Sequence, residues 1–219
     1  MVIKIDELRE AEFIDEWKKG FSWIAKPEED MVRTSHAFQD DGVYLVDPLD
    51  AENLDKKLNE YGEVKGIIVL FDRHLRDSEE LAEKYGCPVY IPEWLEKSID
   101  AKEIKFEDKV PGTDWRLIDA VDTLTGREAG LYHEKSGTLI VADALGTVDM
   151  FCGRGEKLGL NPLYRLNPPK NLLKFDVDRI FCCHGKGIQK NTESTLKDTL
   201  SEARRKTFSA YFKAVKSMI

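Results

Sequence analysis

The apolar run Gly66–Phe71 breaks without a linker into Asp72-Arg73-His74-Leu75-Arg76-Asp77, and Ser78-Glu79-Glu80 follows at once. An apolar run this short, bounded by polar residues, predicts a strand buried on both faces. Asp77-x-x-Glu80 has the form of a capping box, and Leu81 and Tyr85 at helical spacing before Gly86 predict a helix that stops there. Upstream, Asp50 reads as the cap of a helix carrying Leu54, Leu58 and Tyr61 and ending at Gly62. The result is a βαβ unit whose polar turn sits at the carboxyl end of a buried strand, where several side chains can converge on one point.

Beyond Gly86, Pro88–Pro92 predicts a short parallel strand and Pro92-Glu93-Trp94-Leu95 another helix start. From Ile104 to Val141, strand patterns alternate with tight turns at Pro111-Gly112 and Glu134–Gly137, which predicts an antiparallel meander. The stretch beyond Asp143 to Pro169 is rich in glycine and proline and reads as loop-rich. From Thr192, the stripe Leu196, Leu200, Ala203, Thr207, Tyr211 and Ala214 predicts a surface helix packed on a sheet.

A chain of 219 residues, 42% of them hydrophobic, can bury one sizeable core, so residues 1–219 are expected to form a single domain. With 41 acidic against 33 basic residues the formal charge is -8, which offers no general attraction for nucleic acid or anionic lipid. Residues 1–7 lack the apolar core of a signal peptide and no stretch reaches a membrane span, so a cytoplasmic location is expected. Cys87, Cys152, Cys182 and Cys183 show no Cys-x-x-Cys spacing and read as reduced core residues; a redox pair at Cys182-Cys183 is the sharper alternative.

The turn after Phe71 resembles the His-x-His-x-Asp-His motif of the metallo-β-lactamase superfamily, with His74 in the second His place. Asp72 stands in the first, Arg76 in the Asp place and Asp77 in the last. Three later segments resemble that superfamily in order. Thr125–Gly130 resembles its Gly-His-Thr-x-Gly element, with Arg127 at the His. Ser136–Leu145 resembles the strand whose terminal Asp, here Asp143, bridges two metals, and Arg179–Gly185 the strand that ends in the ligand His184. Gly42–Pro48 resembles the strand that ends in a structural Asp, here Asp47. The resemblance implies an α/β fold, a four-layer αββα sandwich, and hydrolytic chemistry at a zinc site.

Carried over residue by residue, one pocket keeps Asp72, His74 and Asp143 and the other Asp77, Asp143 and His184. Arg127 and Arg76 fill positions where ligands belong. A guanidinium cannot be deprotonated and has no acceptor, so each Arg removes a bond and repels a cation. The expected site therefore holds at most one divalent ion (zinc, manganese or iron) or none, its carboxylates balanced by Arg-carboxylate pairs. Two functions follow. One is a metal-dependent hydrolase acting through Asp72, His74, Asp143 and His184 on a small ester, thioester or phosphoester. The other is an inactive member that holds a small anionic molecule through Arg76 and Arg127, with Arg33 and Arg73 nearby. Nucleic acid and membrane are not expected partners. Plainer readings apply to Asp77 as a helix cap, Arg73 as a solvated cation, His36 as a strand or turn residue, His133 as a solvated side chain and Asp47 as a turn or supporting residue. Oligomeric state and substrate are not legible.

Overall fold

A computed structural model describes residues 9–25, 29, 31–96, 99–123 and 126–217. Residues 1–7, weighed above for targeting, the start of the third segment at Thr125 and the side chain of Ala214 lie outside these. The chain divides into two compact units, residues 1–28 with 33–117 and residues 29–32 with 118–219.

The first unit is built on a seven-stranded sheet in the order β1 to β7: β1 (Glu12–Trp17), β2 (Gly20–Ile24), β3 (Thr34–Gln39), β4 (Val43–Val46), β5 (Val64–Ile68), β6 (Val89–Pro92) and β7 (Glu103–Phe106). The pairs from β1 to β4 are antiparallel and those from β4 to β7 parallel. Because successive residues of a strand face opposite ways, Leu45, Ile67, Val69, Val89 and Ile91 all reach one core. The same core takes Leu54 and Leu58 of α1 (Leu54–Leu58) and Leu81 and Ala82 of α2 (Ser78–Tyr85). The intervening Tyr44, Val46, Ile68 and Leu70 are buried too, as strands of a parallel sheet usually are. Gly86 ends α2 at φ 63°, a left-handed position that glycine adopts without a Cβ penalty.

Three local expectations change. The first helix is shorter than Asp50–Gly62, because Asn53 rather than Asp50 precedes it and its side chain is tied to Ala11 by two backbone bonds of 2.8 and 3.1 Å. No helix starts at Pro92, since Pro92 still pairs with Phe106 and the Glu93 amide donates to the Phe106 carbonyl at 3.0 Å. β7 is accordingly a parallel edge strand of this sheet and no part of the meander.

The second unit holds a four-stranded sheet in the order β13-β10-β9-β8, where β8 is Arg116–Thr123, β9 Gly126–His133, β10 Thr138–Val141 and β13 Arg179–Cys182. A two-stranded pair joins β11 (Leu145–Gly146) to β12 (Gly159–Leu160). Leu139, Val141, Ile180 and Cys182 share a core with Leu196 and Leu200 of α3 (Thr192–Glu202). The C-terminal stripe is split between α3 and α4 (Thr207–Ser217). The break has a visible cause: the Ala203 carbonyl accepts from Arg165 Nη1 at 3.4 Å and Thr207 Oγ1 at 3.0 Å. No helix among the described residues is long and apolar enough to cross a membrane.

Candidate functional site

In the first unit β4 and β5 run parallel and both end at the polar turn. The ladder continues past β4, with the Asp47 amide on the Ile68 carbonyl at 2.9 Å, and places the Asp47 side chain in the core at 0% exposure. Its Oδ1 accepts the Leu70 amide at 2.9 Å and its Oδ2 lies 2.8 Å from His74 Nδ1. Burial pushes the Asp47 carboxyl up, but the charges of His74 and Arg76 and the bonds from His74 and Leu70 outweigh it and hold the group below the usual carboxylate range. An ionised carboxylate only accepts, so His74 carries its proton on Nδ1 and turns Nε2, the metal-binding nitrogen of a neutral ring, outward from that bond.

The rest of the turn is dispersed. Asp72 is exposed, and Arg73 is exposed with its guanidinium 4.6 Å from the centre of the Phe71 ring. Asp77 precedes α2 without capping it; its Oδ2 accepts the Asp50 amide at 2.8 Å. Burial, with Glu80 and Asp50 nearby, raises the Asp77 carboxyl despite that bond and the charge of Arg33, which is itself half-buried. Arg76 has φ 45° and points its Nη1 at the carbonyls of Thr34 and Asp47, each at 2.7 Å. It cross-links the ends of two strands. His36 lies in β3, fully buried, its Nδ1 2.8 Å from Ser22 Oγ.

In the second unit, β10 and β13 are parallel neighbours paired Val141 with Cys182, and the ladder extends as the Cys183 amide bonds the Val141 carbonyl at 3.1 Å. Asp143 and His184 therefore emerge side by side, 7% and 2% exposed. His184 Nε2 is 2.9 Å from Asp143 Oδ1, and its Nδ1 is 2.8 Å from the Met31 carbonyl. A carbonyl can only accept, so Nδ1 bears hydrogen. The Nε2 to Oδ1 contact then holds one further proton, as an imidazolium facing a carboxylate or an imidazole facing a carboxylic acid. The Phe151 ring stacks on His184 at 5.4 Å.

Two neighbours in β9 are reversed from the sequence expectation. Arg127 does not face the buried acids of this unit: it is exposed and binds Asp119, with Nε and Nη2 at 3.0 and 2.9 Å from the same oxygen. Glu128 points inward at 0% exposure, accepting the Asp143 amide at 3.0 Å and the Tyr164 hydroxyl. Period-two alternation allows only one of two adjacent residues to face the core. Glu128 and Tyr164 were not anticipated; the available signal was an acid within a run otherwise able to be buried. His133 is not solvated either, being 8% exposed with Nδ1 2.7 Å from Ser136 Oγ. All four cysteines are buried, and burial lifts the thiols of Cys87 and Cys152 to about 11.

No family model and no curated protein matches the sequence. Solved structures do match. The DIM-1 metallo-β-lactamase is similar with a TM-score of 0.65 at 14% identity, over 94% of this chain and 100% of that one. The chain has the metallo-β-lactamase fold. The metallo-β-lactamases from Pontibacter korlensis (TM-score 0.63, 16% identity, 89% and 99% covered) and Hirschia baltica (0.61, 12%, 89% and 98%) are similar in the same way. Identities this low carry the fold and its α/β class and leave the chemistry to the residues themselves.

In the second unit Asp143 and His184 set a carboxylate and an imidazole 2.9 Å apart, a donor pair that a divalent ion fits. In the first unit the Asp47-His74 pair is a carboxylate-histidine arrangement of the kind that orients a ring. Asp72 and Asp77 belong to no cluster of three potential ligand atoms among the described residues. Arg76 brings a fixed positive charge where a ligand carboxylate is expected.

Proposed function

We propose that the chain is a hydrolase-like protein of the metallo-β-lactamase fold that works with at most one divalent ion, with Asp143 and His184 among its ligands. Its substrate class is a small ester, thioester or phosphoester. The observation that carries this reading is the buried Asp143-His184 pair, with the ring orientation set by the Met31 carbonyl at 2.8 Å and the position of Asp143 set by Glu128.

An imidazole and a carboxylate side by side suit zinc, manganese or iron. Bound there, an ion would lower the pKa of a water and polarise the scissile carbonyl or phosphoryl oxygen. The chain's own groups do the rest. Asp47 keeps the His74 proton on Nδ1, and Asp143 and His184 hold a proton that can be passed on when the ligands are needed.

The inactive anion-binding alternative asks Arg76 and Arg127 to take up an anion. In that case Arg76 must leave two carbonyls and Arg127 must leave Asp119. Those commitments favour the hydrolase reading. Elemental analysis of untagged, dialysed protein tests it, together with turnover of ester, thioester and phosphoester panels by the native protein and His184→Ala. About one ion per chain, lost with turnover in the variant, is the expected result. Two ions that survive dialysis, or no ion and no turnover with any added divalent metal, overturn it.

A further inference from the structure

The formal charge of -8 conceals a segment of opposite sign. Residues 203–219 contain Arg204, Arg205, Lys206, Lys213 and Lys216 and no acid. Glu202 pairs with Arg205 and Lys206, and Asp149 with Lys213; the four cations Arg204, Arg205, Lys206 and Lys213 less these two carboxylates leave a surface charge of +2. The helix in this segment, α4, also exposes apolar side chains. Ala210 is fully buried, whereas Phe208 is 89%, Phe212 75% and Tyr211 45% exposed. Phe208 and Phe212 are four residues apart and so share a face. The patch extends beyond the helix, because the Tyr211 hydroxyl donates to the Pro162 carbonyl at 3.2 Å and Arg204 Nε to the Leu166 carbonyl at 2.8 Å. Those contacts set Leu163 and Leu166, 57% and 68% exposed, beside it.

Single exposed apolar residues are ordinary, but an aromatic and leucine cluster rimmed by cations marks a docking surface. We propose that α4 docks the chain on an anionic lipid bilayer, with Phe208 and Phe212 entering the headgroup boundary and the flanking Arg and Lys meeting lipid phosphates. Charge selects this occupant. A two-fold contact with a second copy sets the basic segment against itself, whereas an anionic bilayer complements it. The excess acid elsewhere in the chain is screened beyond a Debye length of about 8 Å at physiological salt. This inference is independent of the hydrolase reading.

Sedimentation of the full chain with vesicles tests it. Binding is expected to phosphatidylcholine vesicles carrying about one-third phosphatidylserine, and to be at least about tenfold weaker without the anionic lipid. Raising salt from about 0.05 to 0.5 M should release the protein. Phe208→Ser with Phe212→Ser should lose at least about tenfold, and Arg205→Gln or Lys213→Gln about fivefold each. Both phenylalanines project into solvent, so the circular dichroism of the double variant should match wild type. No binding to the anionic vesicles, or equal binding to both lipids, overturns the proposal. So does a dimer seen by light scattering without lipid that the double Phe variant turns monomeric, which gives the face to a second copy.

Discussion

Asp47 and His74 fix one another: the 2.8 Å contact between Oδ2 and Nδ1 sets the ring's tautomer, and the ring in turn keeps a fully buried carboxylate ionised. Neither residue is exchangeable without disturbing the other. Asp47→Ala should cost roughly 3 to 5 kcal/mol, since it strips the buried His74 Nδ1–H and the Leu70 amide of their acceptor. Asp47→Asn retains an acceptor and tolerates φ 45°, and should cost about 1 to 2 kcal/mol. The sign with pH follows from the lowered carboxyl: its contribution is present above the unfolded value of ~3.9 and is lost as pH falls through the lower folded value. Urea unfolding should therefore show wild type and Asp47→Asn converging below about pH 4; a gap that stays constant into acid would mean that Asp47 is not the titrating partner.

Asp77 carries the opposite sign. Its carboxyl is raised by burial, so the folded chain favours the protonated form, and this contribution fades as pH rises through the raised value. Asp77→Asn keeps an acceptor for the Asp50 amide and removes a poorly solvated charge. It should be at least as stable as wild type at pH 7, with the difference closing below about pH 4. Unchanged metal content in this variant would separate Asp77 from the ligands, whereas a lost ion would restore it to them.

Arg127→Ala distinguishes the residue's position in sequence from its position in space. Facing buried carboxylates, its loss would cost roughly 3 to 5 kcal/mol. Paired with Asp119 at 41% and 46% side-chain exposure, it should cost less than about 1 kcal/mol. A double-mutant cycle with Asp119→Ala measures the pair directly, and a melting temperature that collapses in the single variant would contradict the exposed geometry.

Tyr164→Phe removes the hydroxyl that donates to a carboxylate at 0% exposure, at an expected cost of about 1 to 3 kcal/mol. Glu128→Gln keeps an acceptor for the Asp143 amide and should be the milder change. Calorimetric or chemical unfolding of both variants checks the order; if Glu128→Gln proves the more damaging, the ionised acid matters beyond that single bond.

On the proposed ligation, zinc uptake should release about one proton per ion, because Nε2 and Oδ1 lie 2.9 Å apart and the ion displaces the proton of that contact. Titration calorimetry in two buffers of different ionisation heat counts it, and affinity should fall as pH falls. Proton-neutral binding would place the ion away from His184.

The sequence was most legible where one period dominated. The Gly66–Phe71 run, the helix that ends at Gly86 and the strands leading to Asp143 and His184 all carry unbroken local patterns, and the structure builds them, with the first strand shifted to Val64–Ile68. Where local pattern competes with a distant partner, the partner decides. Pro92 looks like a helix start until Phe106 pairs with it, and the stripe from Leu196 to Ala214 looks continuous until Arg165 takes the Ala203 carbonyl. Alternation likewise cannot say which of Arg127 and Glu128 faces the core, because shifting the register by one residue exchanges them. The strand of β1 and β2 that opens the first sheet drew no expectation at all, its burial pattern being set by its neighbour β3.

The parallel pairing of β10 and β13 makes part of the site a matter of counting. Both strands leave a common origin, where the Gly137 carbonyl takes the amides of Asp178 and Arg179 at 2.8 and 3.1 Å and Thr138 pairs with Arg179. From there Asp143 and His184 are each five steps on (143 less 138, 184 less 179). A one-residue insertion or deletion in either strand would leave its apolar composition nearly intact while turning the terminal side chain to the opposite face. These buried strands can therefore exchange one apolar residue for another more readily than they can change length, and a single-residue gap in either should keep the fold and lose the Asp143-His184 contact.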